Sequence, residues 1–75
     1  MSSVSESRLF VNGQERRFTG PPPATVADLC KALGLDPGRV VAEVDGRVAA
    51  SADFARTPLA DGARVELVHF VGGGA

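Results

Sequence analysis

The chain has 75 residues, with 8 Lys plus Arg against 9 Asp plus Glu and a formal charge of −1. A chain this short buries roughly 60% of the surface its unfolded form exposes, which leaves room for one thin core and excludes a large enclosed active site. The charge balance offers no basic footprint for nucleic acid and no polybasic membrane anchor. A single cysteine supplies neither an internal disulfide nor a cysteine-rich metal site.

The opening "MSSVSESR" lacks the apolar segment of a signal peptide, and no apolar run approaches the ~20 residues of a membrane span. The expectation is a cytoplasmic protein, monomeric by itself, with a disordered leader over residues 1–7 and one domain over 8–71. A flexible glycine tail is expected over 72–75. In "RLFVNGQERRF", Leu9 and Val11 alternate with Arg8 and Phe10 before Asn12-Gly13. That pair supplies the positive φ angles of a tight hairpin turn, which predicts a strand, a turn and a second strand carrying Phe18. Three prolines, Pro21 to Pro23, neither donate to a ladder nor continue a helix and form a stiff connector.

"TVADLCKALGL" is the best helix. Thr25 is the N-cap with Asp28 three positions on, and Val26, Leu29, Cys30 and Leu33 make one apolar stripe. Gly34 ends it in a left-handed cap with Leu35 packing back, and "DPG" turns the chain toward the sheet. In "RVVAEVDGRVAA", Val40, Ala42 and Val44 share a face, Asp45-Gly46 turns, and Val48 begins the return strand. Residues 51–60 read as irregular, anchored by Phe54 and Leu59. After the Asp61-Gly62 turn, "ARVELVHFV" is the last strand, with Val65 and Leu67 inward and Glu66, Val68 and Phe70 outward. Strands, one helix across the sheet, then further strands make an α+β arrangement with four or five strands.

That order, ending on a glycine tail, resembles the β-grasp, or ubiquitin-like, fold, and within it the chain is similar to the ThiS family of sulfur-carrier proteins of thiamine biosynthesis. The resemblance covers about Leu9 to Gly74. It is carried by "VNG" at 11–13, "TVADL" at 25–29, "VAEVDGRV" at 41–48, "TPLADGARVEL" at 57–67 and "VGGG" at 71–74. It implies a carrier, not an enzyme, whose own catalytic inventory is empty. A ThiF-like adenylating enzyme would use ATP and Mg²⁺ to turn the terminal carboxylate into an acyl-adenylate. Sulfur drawn from cysteine, as by a cysteine desulfurase, would displace AMP to leave a thiocarboxylate, and a ThiG-like thiazole synthase would take the sulfur. No cofactor is implied on the carrier itself.

The residue types suit that chemistry. Gly72, Gly73 and Gly74 give ~10 Å of slender reach at the rise of an extended chain, and without Cβ atoms they pass where a side chain would clash. Ala75 departs from the family's terminal glycine. It is trimmed to expose Gly74, or activated on its own carboxylate, or left over from expression; steric freedom favours its loss, which makes Gly74 the expected site.

Two further readings concern the body. Val68 and Phe70, together with Phe10, are candidates for a docking face, unless the irregular segment 51–60 covers them. Cys30 sits on the helix's apolar stripe and reads as core, and His69 lacks companions for a metal site. Outside thiamine synthesis, the same tail would suit a MoaD-like carrier for molybdopterin, a carrier for cysteine or thiosugar assembly, or a ubiquitin-like modifier or interaction module. The ending "VHFVGGG" favours the ThiS type, since MoaD-like chains tend to carry a proline near the tail.

Overall fold

A computed structural model describes residues 6–70; residues 1–5 and 71–75 lie outside the described residues, and with them the glycine tail. Among the described residues there are five strands and one α-helix: β1 Glu6–Val11, β2 Gln14–Thr19, α1 Val26–Leu33, β3 Val40–Val44, β4 Arg47–Ala49 and β5 Arg64–His69. The sheet order is β2-β1-β5-β3-β4. β1 and β5 run parallel at the centre, and the remaining pairs are antiparallel. The α+β expectation therefore holds, as a five-stranded mixed sheet with a single helix packed on it.

Local chemistry sets most of the boundaries. Asn12 and Gly13 both take positive φ, 52° and 80°, and Asp45 and Gly46 repeat the pattern at 49° and 87°, the geometry of two-residue hairpins. The helix starts where the Thr25 hydroxyl accepts from the Asp28 amide. That hydroxyl also donates to the Asp28 carboxylate at 3.2 Å, so the return half of the capping pair runs between side chains. It stops at Gly34, φ 72°, where the amides of Gly34 and Leu35 donate to the carbonyls of Lys31 and Cys30 at 3.2 and 2.8 Å. Those two bonds satisfy carbonyls that a helix end leaves open.

Three details differ from the sequence reading. β1 begins at Glu6, ahead of the expected leader boundary, because Ser7 occupies an inward position and its hydroxyl donates to the Gly20 carbonyl at 2.8 Å. A polar residue at a buried site gives no apolar signal, so alternation alone misses it. "DPG" is a 3₁₀ turn, Pro37–Arg39, capped by the Asp36 carboxylate. Segment 51–60 is ordered as a 3₁₀ turn over Ser51–Arg56, tied by the Thr57 hydroxyl donating to the Asp53 carbonyl at 2.7 Å.

The core lies between the sheet's inner face and the helix. Leu9, Val11, Val26, Leu29, Cys30, Val40, Ala42, Phe54, Leu59, Ala63, Val65 and Leu67 form one buried cluster, with Phe54 the largest fully buried side chain. Burying Phe54 fully contributes about 1.5–3 kcal/mol by area alone. Segment 51–60 packs on this inner side: the Val26 amide donates to Thr57, and the Leu59 amide to Ala24, at 3.0 and 2.9 Å.

Candidate functional site

Register decides what the outer face displays. Val41 sits directly opposite Val68, and Val48 directly opposite Glu43, so all three share the face turned away from the helix. Phe70 follows β5 and is tied down by its amide, which donates to the Arg39 carbonyl at 3.0 Å. Val48 is 72% exposed, Val68 62%, Val41 48% and Phe70 41%. Those four are the large apolar side chains left open among the described residues, and segment 51–60 does not cover them because it lies on the other side of the sheet. Val41 and Val68 side by side, with Phe70 two positions further on and Val48 on the same face, have the character of a docking surface beside the point where the chain runs on toward its glycines. Glu43 and Glu66 face each other beside it, like charges that a cationic group on a partner would relieve.

Phe10 does not belong to that cluster. Its backbone is level with Arg64, six positions before Phe70, a separation of about 20 Å at the rise of a strand. There the Arg8 and Arg64 guanidiniums lie 5.8 and 5.9 Å from the ring centroid. Arg8 is directly opposite Arg17, and Glu15 mediates between them, accepting from the Arg17 Nε at 2.8 Å and lying 3.9 Å from Arg8. The Arg17 hydrogen bond holds the Glu15 carboxyl below the usual carboxylate range, and the same contact raises Arg17. This end of the face is a charged lattice around a ring, and a poor apolar docking site.

Sequence reasoning therefore placed Val68, Phe70 and Phe10 on the outward face, as the register has them, but not Phe10 at its far end, and it left out Val41 and Val48. A signal existed for both: an outward Val41 follows from an inward Val40 and Ala42, and Val48 from its place across the hairpin.

Cys30 is fully buried, and burial pushes its thiol up, so it stays protonated and packs as a small apolar group. His69 closes β5 opposite Val40 and is exposed, facing a groove floored by Val11, Leu33, Leu35 and Leu67. Among the described residues no group of three or more His, Cys, Asp or Glu side chains could hold a metal, and no helix is long and apolar enough to cross a membrane. Gly72, Gly73, Gly74 and Ala75 lie outside the described residues.

Comparison with known proteins adds to this geometry. A model of the family described as "ThiS family" matches residues 9–74. The crystal structure of a thiamine biosynthesis protein (ThiS) from Geobacter metallireducens superposes with a TM-score of 0.75 at 34% identity, covering 89% of this chain and 99% of that one. The NMR solution structure of a thiamine biosynthesis protein from the same organism gives 0.73 at 33% identity, covering 91% and 88%. A thiazole synthase from Paramagnetospirillum magneticum is 34% identical over 67 residues, which are 89% of this chain and only 20% of that protein's length.

Proposed function

The chain belongs to the ThiS family, and on that basis we propose that it is a sulfur carrier of thiamine biosynthesis, a substrate of partner enzymes and not itself a catalyst. The observation that carries the reading is the extent of the family match. It runs through residue 74 and so takes in the glycine run together with the folded body. In this reading the carboxylate of Gly74, after loss of Ala75, attacks the α-phosphorus of MgATP on a ThiF-like enzyme, giving acyl-adenylate and pyrophosphate. Persulfide sulfur drawn from cysteine displaces AMP, a thiol reductant cleaves the acyl disulfide so formed to leave the thiocarboxylate, and the thiocarboxylate passes its sulfur to a thiazole synthase. A carboxylate is a poor electrophile, and the adenylate gives it a leaving group; the glycines let the backbone enter a narrow site.

Support for the partners comes from two directions. The similarity to part of a thiazole synthase favours thiazole formation as the destination of the sulfur. The open side chains of Val41, Val48, Val68 and Phe70 supply a place for an enzyme to hold the body while the tail is worked on.

The test is direct. Incubation with a ThiF-like enzyme, MgATP, cysteine, a cysteine desulfurase and a thiol reductant should raise the intact mass by the difference between sulfur and oxygen, on a chain ending at Gly74. An unchanged mass, with the same enzymes active on another carrier, sinks the reading. Thiocarboxylate found on a chain that retains Ala75 would move the site to that alanine.

A further inference from the structure

The geometry points to a specific role for Asn12: it is a positioning residue whose side-chain amide carries the β1–β5 ladder one step beyond the place where β1 turns away. The amides of Phe10 and Asn12 donate to the carbonyls of Ala63 and Val65, both at 2.9 Å, the regular two-residue step of a parallel pair. The next acceptor along β5 is the Leu67 carbonyl. By then the chain of β1 has entered its hairpin, with Asn12 at φ 52°, and has no backbone left to offer. The Asn12 side chain replaces it. Its Nδ2 donates to the Leu67 carbonyl at 3.1 Å, and its Oδ1 accepts from the Leu67 amide at 2.7 Å.

One primary amide thus stands in for a peptide unit, matching donor to acceptor and acceptor to donor across 55 positions of sequence. Leu67 is the last inward core residue of β5, and Phe70, three residues on, is the last described residue before the glycines. On its other side β5 is held by β3 from Arg39 onward, through the Val40–His69 and Val41–Val68 pairs and the Phe70 amide. Without the Asn12 contact, the final half of β5, from Leu67 on, would hang from β3 only. The amide therefore aims the strand from which the tail departs, while the docking side chains keep their own support on β3. This inference rests on the carrier reading for its consequence in catalysis, and on geometry alone for the contact.

A turn role and this role are separable. Glycine tolerates positive φ, so Asn12→Gly keeps the hairpin and removes only the amide; Asn12→Asp keeps an acceptor for the Leu67 amide and loses the donor. Both variants of the full chain are compared with the parent by amide hydrogen exchange and by pyrophosphate release with a ThiF-like enzyme. In Asn12→Gly the Leu67 amide should exchange about tenfold faster or more, while the exchange of buried helix amides is retained. For adenylation, kcat should fall about tenfold with KM for the carrier unchanged, since the terminal carboxylate is misplaced and the docking face is intact. Asn12→Asp should fall between the two proteins in kcat and retain most of the Leu67 protection. Unaltered Leu67 exchange in Asn12→Gly overturns the contact, and faster exchange with unaltered kcat overturns the positioning role. If Asn12→Gly does not fold, full activity in Asn12→Asp overturns the role as well. A parent chain that is not adenylated at all defeats the carrier reading instead, and the exchange measurement still decides the contact.

Discussion

Phe10 and Phe70 stand on the same face of one sheet, at opposite ends of β5. Phe10 is roofed by two arginines, within a lattice that also includes Glu15 and Arg17. Phe70 is open, with Val68 and Val41 as its apolar company. The residue type is the same in both places, and so is the strand periodicity that turns it outward. Neighbours across the strands, and not the alternation, decide whether an outward aromatic is packed as structure or offered to a partner.

Four experiments would break or sharpen that contrast. Phe54 sets the scale, as the phenylalanine buried on the inner face: Phe54→Ala should cost about 3–5 kcal/mol in urea unfolding, and a loss under 1 kcal/mol would mean the core is not centred there. Phe70→Ala should leave stability within about 1 kcal/mol and lower affinity for the adenylating partner about tenfold, or 1.4 kcal/mol, in calorimetric titration. An unfolded variant, or unchanged binding, would remove Phe70 from the docking face. Phe10→Ala should do the reverse, losing about 0.5–1 kcal/mol of cation–π support while partner affinity stays put. A binding defect equal to that of Phe70→Ala would merge the two ends into one surface.

The smallest effect concerns acid. Because the Arg17 contact depresses the Glu15 pKa in the folded state, its stabilisation is present above the unfolded-state value and is lost as pH falls through the folded one. Glu15→Gln should therefore flatten a slight acid limb in the unfolding midpoint and change nothing near neutrality. Both groups are exposed, so added salt should erase the difference; a limb that survives high salt has another origin.

Much of the fold was legible because its signals are local. Thr25 and Gly34 bound the helix through bonds to residues three to five positions away, and Asn12-Gly13 and Asp45-Gly46 specify their turns by φ preference alone. The outward setting of Val68 and Phe70 came from period-two alternation. Ser7 escaped notice because its burial is satisfied by a carbonyl thirteen residues away. Val48 escaped although the two-residue Asp45-Gly46 turn already set it opposite Glu43.

The amino-acid order by itself determined the elements, their caps and turns, the inner and outer faces of each strand, and the glycine run at the end. These depend on contacts within a few residues, where side-chain chemistry acts without reference to the rest of the chain. Tertiary structure alone decided that β5 lies between β1 and β3, which puts Val41 against Val68, strands Phe10 at the far end and brings Asn12 to Leu67. Those pairings join residues tens of positions apart, and no local periodicity carries the register of one strand against another.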